Sequence, residues 1–304
     1  MSYPHLDLSA GAHDRVAHRR RDEQWLRAKW ADPGTRVLLV SGTRLRNRGG
    51  GLDWVSPGEA PDGVRVLLGE RDGTTYFAVL LDPAEAPGPR EEWVGLRGFT
   101  GHFEYGSSAD APLAFHAIGL AEWHWRTRHC SYCGAALEPM DAGHLLHCSG
   151  CGKDQFPRTD PAVIMVVAHG DPGSEQERCL LGRGVQWPEG RYSTLAGFCE
   201  PGETLEDAVR REVREEVGIT VGDVDWFGNQ PWPLPGSLML GFVARAQSTE
   251  IVVDESEIAD ARWFTRAEMR EVAEAGSLVL PSRGVSISRS LVEHWYGGRL
   301  PGGW

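Results

Sequence analysis

Positive charge is scarce: 31 Lys and Arg stand against 43 Asp and Glu, for a formal net charge of −12 over 304 residues. Such a chain has no general electrostatic grip on nucleic acid, which needs clustered Lys and Arg to neutralise phosphate, so any nucleotide partner has to be held in a pocket. Long apolar runs are missing too. No stretch approaches the roughly 20 apolar residues of a membrane-spanning helix. The opening MSYPHLDLSAGAHDRVAHRRRDEQW sets its basic residues after polar ones with no apolar core behind them, unlike a secretory leader. A cytoplasmic protein with no membrane partner is the expectation. The run Arg19-Arg20-Arg21 reads as a solvated helix face in preference to a phosphate-binding arm. Neither an internal repeat between the halves nor a low-complexity tract is visible.

Cysteine is sparse but patterned. Six are present, and in the cytosol they should be metal ligands or buried thiols before they are disulfides. Cys130-Ser-Tyr-Cys133-Gly and Cys148-Ser-Gly-Cys151-Gly form two pairs, with fourteen residues between Cys133 and Cys148. Two such turns offer four thiolates to one tetrahedral ion, and the glycine after each pair should relieve crowding where amides approach the sulfurs. With every position filled by protein, none is left for substrate, so the ion would be structural and link two units. Zinc is the expected metal, with iron in a sulfur-only site as the competitor. Cys179 and Cys199 have no partner pattern and read as packing residues.

Glycine and proline are plentiful, 38 and 19, which points to many turns, while 41% apolar and 24% charged residues are ordinary for a globular protein. The length suggests two units, each able to bury a core. Short β-type runs (RVLLV, VRVLL, TYFAVLL) lie between Arg36 and Leu96. A helical pattern follows from Ala111 to Arg128, in and near which His116, His124 and His129 read as packing or surface residues rather than ligands. After the cysteines, strands are expected at Ala162–Ala168, Cys179–Gly182, Leu238–Ala246 and Ala261–Phe264, with helices at Leu205–Val217 and near Ser286–Trp295. This is an α+β pattern.

The helix at 205–217 carries the chemistry. Thr204 with Asp207 resembles a capping box with Asp in the Glu position, and Gly218 sits where a left-handed C-terminal cap belongs. At about 100° per residue, Leu205, Ala208, Val209 and Val213 mark the buried face. Glu212 and Glu216 fall in the middle of that face and Glu215 on its edge. Acids on a dry face cost several kcal/mol, about the effective penalty per buried ion, unless a counter-charge compensates. A hard divalent ion supplies that charge, since carboxylates at i, i+3 and i+4 can converge on Mg²⁺ or Mn²⁺. A solvated acidic helix paired with Arg210, Arg211 and Arg214 accounts for the arginines but not for the phase of Glu212 and Glu216.

The segment Gly197 to Ile219 resembles the Nudix box, G-x5-E-x7-R-E-U-x-E-E-x-G-U, at every fixed position. The resemblance implies the Nudix α/β/α sandwich, with Glu212, Glu215 and Glu216 as metal ligands. It further implies that Glu203 and Arg211 brace the loop-helix-loop and that Gly197 leaves room for backbone near the metals.

Specificity has to come from elsewhere. In Asn229-Gln230-Pro231-Trp232-Pro233-Leu234-Pro235-Gly236-Ser237, a Trp set between prolines is equally a platform for an aromatic ring or a cap on the core. The segment is similar to the SQPWPFPxS sequence of NADH pyrophosphatases, with Asn229 for the first Ser and Leu234 for the Phe. That family also carries a four-cysteine zinc site before its Nudix domain and a divergent Nudix-like N-terminal domain. The implied division is 1–126 N-terminal domain, 127–157 zinc ribbon and 158–304 catalytic domain. By the same resemblance Phe198, Trp232 and Phe156 (where Tyr is common) wall the substrate rings, and Gln230 is a polar contact. Ser288 stands near the pocket where Ala is usual, and Glu257 is a further metal ligand or base, with a plain loop acid as its alternative. The implied activity is hydrolysis of NADH or NAD⁺ to nicotinamide mononucleotide and AMP, with Glu216 or Glu257 activating the water, and removal of NAD caps from RNA. A homodimer is implied as well. The rivals are a Nudix hydrolase of another substrate such as ADP-ribose and a Nudix-derived ligand sensor; an intact Glu215-Glu216 pair speaks against the sensor.

Overall fold

The computed structural model describes residues 5, 13–49, 51–99 and 110–301, which fall into two compact units. The first comprises the described residues from 13 to 159 with Trp232–Gly236; the second comprises 160–231 and 237–301 with His5.

The first unit is built on β1 (Arg36–Ser41), which pairs antiparallel with β2 (Arg44–Arg48) and β4 (Trp54–Val55) and parallel with β6 (Thr74–Leu81). β5 (Val64–Arg71) flanks β6, while β3 (Gly51–Leu52) and β7 (Trp93–Gly95) pair with β2. Val37, Leu38, Leu39 and Val40 are all buried. A strand covered on both faces reads as a continuous apolar run, which is why RVLLV stands out in the sequence. α1 (Glu23–Ala31) lays Trp25, Leu26 and Trp30 against Val37, Leu39, Phe77 and Val79 on one face. α2 (Ala111–Arg126) packs against β1, β2 and β5, and ends two residues before the expected Arg128.

His116 is buried and hydrogen-bonds His13 at 3.0 Å, and His124 bonds the Gly143 carbonyl at 2.7 Å, both packing roles; His129 is exposed. The arginine run does not lie on an α-helix, which begins only at Glu23. Arg19 pairs with Asp22 at 2.9 Å, and Arg21 grips both oxygens of Asp141 at 3.0 and 2.9 Å. β8 (Leu137–Met140), β9 (Leu145–Cys148) and β10 (Asp154–Gln155) form a small separate sheet behind the cysteine turns.

In the second unit β11 (Asp160–His169) is central. It pairs antiparallel with β12 (Arg178–Gly184) and β13 (Leu195–Phe198) and parallel with β15 (Ser237–Ala246). β14 (Val221–Trp232) flanks β15, and β16 (Ile258–Thr265) flanks β12. Alternation along β11 divides the interior in two. Val163, Met165 and Val167 face a core shared with Ala208, Val209, Val213 and Val217 of α3 (Leu205–Val217). Ile164, Val166 and Ala168 face a core shared with α4 (Arg266–Glu274) and α5 (Ile287–Tyr296). The expected α/β/α sandwich is therefore present. β13, β14 and α4 had not been expected. α4 carries a full capping box between Thr265 and Glu268, a start signal legible in the sequence that the expectation passed over.

The two units share a pairing scheme that no internal repeat between their sequences displays. β1, β2, β4, β5, β6 and β7 pair among themselves as β11, β12, β13, β14, β15 and β16 do, including the single parallel pair. The difference lies after the third strand. α3 fills the interval between β13 and β14, whereas only residues 56–63 join β4 to β5. The first unit has the Nudix-like sheet without the helix that holds the acids. Among the described residues no helix is long and apolar enough to cross a membrane.

Candidate active site and metal centre

α3 is bounded as its sequence requires. The Thr204 hydroxyl accepts from Asp207 N at 3.2 Å, and Gly218 takes the left-handed conformation at φ 72°. Asp207 does not return the bond as a capping-box Glu would; a methylene shorter, it instead accepts from Arg210 Nη1 at 2.9 Å. Ala208, Val209, Val213 and Val217 are buried, and Glu216 joins them at 8% exposure, while Glu215 faces solvent. Glu216 Oε2 is buried with no hydrogen-bond partner in the protein. Burial, and then the charges of Glu212 and Glu257, push the Glu216 carboxyl up to about 8. Glu212 is raised as well, first by burial, with Glu215 and Glu257 adding to it and Arg211 opposing. Glu257 sits exposed in the turn before β16, and its charge reaches both acids.

Arg211 is the hub of the loop-helix-loop. Its Nε and Nη2 donate to the two oxygens of Glu203 at 3.1 and 2.7 Å, and Nη2 also donates to the Phe198 carbonyl at 2.8 Å. Nη1 donates to Glu212 at 2.9 Å and Glu215 at 3.0 Å. Glu203 also accepts from Glu200 N at 2.6 Å, and the Arg211 contact holds its carboxyl below the usual range. Gly197 lies under Glu212: a Cβ there would fall 1.9 Å from the Glu212 carboxyl carbon, so any larger residue would push that carboxylate aside.

The four cysteine sulfurs all lie within 4.8 Å of one another, with Cys130–Cys151 at 3.6 Å and Cys133–Cys148 at 3.4 Å. A tetrahedron with Zn–S bonds of about 2.3 Å has edges of about 3.8 Å, so the set fits one ion. The Tyr132 amide, opposed by burial and helped by the Cys133 amide, draws the Cys130 thiol down to about 7. The glycines after each pair act differently from expectation. Gly134 (φ 75°) and Gly152 (φ 70°) have open space where a Cβ would be, so left-handed backbone and not crowding selects them. The crowded glycine is Gly150, whose Cβ would meet Ala135 at 2.9 Å and the Cys133 sulfur at 3.5 Å. Among the described residues this is the one group of His, Cys, Asp or Glu whose ligand atoms all come within 4.8 Å. Glu212, Glu215, Glu216 and Glu257 do not converge so closely, and Arg211 holds two of them, Glu212 and Glu215.

The specificity residues divide. Phe198 (58% exposed) stands beside the acids in the second unit; Phe156 (63% exposed) belongs to the first. Trp232 is half-buried at the end of edge strand β14 and is grouped with the first unit, where the Arg97 guanidinium lies 5.7 Å from its ring centroid. Gln230 and Ser288 are both buried. Gln230 Nε2 donates to the Val285 carbonyl at 2.6 Å and its Oε1 accepts from Ile287 N at 2.9 Å, so its amide splices β14 to the start of α5. The Ser288 hydroxyl is also buried, bonded to Ser193 Oγ (2.7 Å) and Thr194 Oγ1 (2.9 Å). Both side chains are thus buried and bonded within the second unit. Ser193 and Thr194 carry no sequence signal that would single them out.

A sheet between helices, with a braced acidic helix on one face, is the Nudix arrangement, and a NUDIX domain model matches residues 158–281. Residues 20–123 match an NADH pyrophosphatase-like rudimentary NUDIX domain, in keeping with the helix-less sheet of the first unit. NAD-capped RNA hydrolase NudC of Mycobacterium bovis is 37% identical over 307 residues, covering 95% of this chain and 94% of that protein. Human NAD-capped RNA hydrolase NUDT12 is 44% identical over 198 residues, covering 61% of this chain; the chain spans 42% of that relative's length. A crystal structure of a NUDIX hydrolase from Nitrosomonas europaea aligns over 59% of this chain and 97% of that one, at 20% identity and a TM-score of 0.44. The chain belongs to the NADH pyrophosphatase family of Nudix hydrolases.

Proposed function

We propose that the chain hydrolyses the central diphosphate of NADH or NAD⁺ to nicotinamide mononucleotide and AMP, and cleaves the same bond when the dinucleotide caps RNA, releasing nicotinamide mononucleotide and leaving a 5′-monophosphate on the RNA. The supporting observation is the buried, unpartnered Glu216 carboxyl beside Glu212 and Glu257, a surplus of negative charge that divalent cations would balance. The names of the M. bovis and human relatives point to the same substrate. Glu212, Glu215, Glu216 and Glu257 would hold Mg²⁺ or Mn²⁺, which supplies charge neutralisation on the diphosphate and a lowered pKa for attacking water. Glu216 or Glu257 accepts the proton of that water as its oxygen bonds to phosphorus. The P–O bond of the bridge breaks, and the leaving phosphate takes its electron pair. Arg211 holds Glu212 and Glu215 in place, and Phe198, Trp232 and Phe156 offer ring faces to the substrate. Gln230 and Ser288 act through the backbone they fix.

The reading includes one structural zinc on Cys130, Cys133, Cys148 and Cys151, the domain division 1–126, 127–157 and 158–304, a homodimer and a cytoplasmic setting. The test is product analysis after incubating pure protein with NADH, NAD⁺, ADP-ribose and NAD-capped RNA in Mg²⁺ or Mn²⁺. Nicotinamide mononucleotide and AMP should form, and Glu216→Gln should abolish them with the fold intact. A preference for ADP-ribose over every NAD-containing substrate would overturn the assignment.

A further inference from the structure

The first unit keeps the Nudix-like sheet but lacks the acidic helix, and it carries a cavity elsewhere. The β1–β2 turn, the segment after β6 and the last turn of α2 line an open cleft of about 870 Å³, within the usual size range of ligand sites. In an acidic protein this cavity is basic. Arg44, Arg90 and Arg126 line it against Glu122, and Glu122 is already paired with Arg126 at 3.1 Å. Arg44 spends Nη1 on the Trp93 carbonyl at 3.2 Å, and neither Arg44 nor Arg90 has a carboxylate partner among the described residues. Two guanidinium groups without counter-charge, sharing one concave surface, suit a bidentate anion.

Trp125 gives the cavity a second chemistry. Its indole is 38% exposed, and Arg128 lies 3.8 Å from the ring centroid, which steadies the ring. Trp125 and Gly42 also line an adjoining slot of about 240 Å³, whose wall mixes Leu80, Leu137 and Leu146 with Asp82, His124 and Arg128. Gly42, left-handed at φ 58° in the β1–β2 turn, lies at the junction of the two spaces. An aromatic platform beside a part-apolar slot with hydrogen-bonding groups in its wall, next to two arginines without a carboxylate partner among the described residues, fits a flat heterocycle carrying a phosphate.

We infer that this cavity binds a nucleotide 5′-phosphate, with its base on Trp125 and its phosphate on Arg44 and Arg90. Free mononucleotide and the chain of an RNA present the same chemistry. The inference uses none of the residues assigned to hydrolysis and stands or falls independently of that activity.

The test is calorimetric titration of the full chain, without added Mg²⁺ or Mn²⁺, using inorganic phosphate, adenosine, AMP and a short uncapped 5′-phosphorylated RNA. Trp125→Ala should weaken AMP and RNA roughly tenfold or more, the scale of one lost base–aromatic stack, and Trp125→Phe should retain most of the affinity. The pair Arg44→Ala and Arg90→Ala should weaken phosphate, AMP and RNA but leave adenosine unchanged. Melting temperature and kcat/KM for NADH should stay at wild-type values in all variants. Equal affinity for AMP and RNA assigns the site to free nucleotide; much tighter RNA binding assigns it to the RNA chain. AMP and RNA affinities that are the same in wild type and Trp125→Ala, or no binding by either, would overturn the inference.

Discussion

Gly197→Ala isolates the geometry on which the acidic helix depends. The added Cβ would lie 1.9 Å from the Glu212 carboxyl carbon and 2.1 Å from each of its oxygens, against 3.4 Å for an ordinary contact, so something must move by about 1.5 Å. The strand cannot easily yield, because Gly197 is in register with Val163 between the Ile164–Ala196 and Ala162–Phe198 pairs. Nor can the helix, since Ala208, Val209 and Val213 are fully buried under it. The Glu212 carboxylate is the part free to swing, and it carries Arg211 Nη1 with it. A displacement of about 1 Å at a reacting centre costs about 10²-fold, so kcat/KM for NADH should fall by at least that factor, equivalent to about 2.7 kcal/mol. Thermal unfolding should change little, as the Glu212 carboxylate contributes nothing to the apolar core. Steady-state kinetics across a Mn²⁺ titration read the loss, which should include weaker metal activation. In a Glu212→Ala background the same substitution should cost almost nothing further, because the colliding group is gone. Wild-type activity in Gly197→Ala, or an undiminished second loss in the Glu212→Ala background, would refute the argument.

The remaining predictions concern metal, acid and specificity. Wild-type protein should contain about one zinc per chain; Cys133→Ser should lose it and melt earlier, and a metal-free wild type of full stability would exclude the site. Burial holds His13 and His144 down to about 4 and His116 well below its ordinary value, so the unfolded chain takes up protons first as pH falls. Stability contributed by keeping them neutral is complete above about 6.5 and should decline towards pH 4, by up to about 1.4 kcal/mol per pH unit for each histidine. Glu216, raised by burial, would titrate with the opposite sign, so urea unfolding is to be measured with excess Mg²⁺; equal stability at pH 7 and pH 5 would contradict the histidine argument. Trp232→Ala should lower kcat/KM for NADH by about 1 to 3 kcal/mol, the value of a lost base–aromatic stack, and spare a substrate with a single ring. Equal losses for both, with a lower melting temperature, would return Trp232 to a packing role.

What the sequence by itself determined is what short-range spacing can encode. The phase of Glu212 and Glu216 on α3, the Gly218 cap and the two cysteine pairs each depend on residues a few positions apart, where helix and turn geometry fix the outcome. The apolar runs that became β1, β6 and β11 were legible for the same reason, being buried on both faces. Tertiary structure decided the rest. Gly197 matters because another element brings Glu212 onto it, and Glu257 because β16 delivers it beside α3. Gln230 and Ser288 sit in motifs that resemble a ligand site, yet their partners, Val285, Ile287, Ser193 and Thr194, come from distant segments and turn both side chains inward. The shared pairing scheme of the two units likewise has no trace in local pattern. Strand order is set by which long-range contacts close, and many sequences satisfy one order once each strand is apolar on the faces it buries.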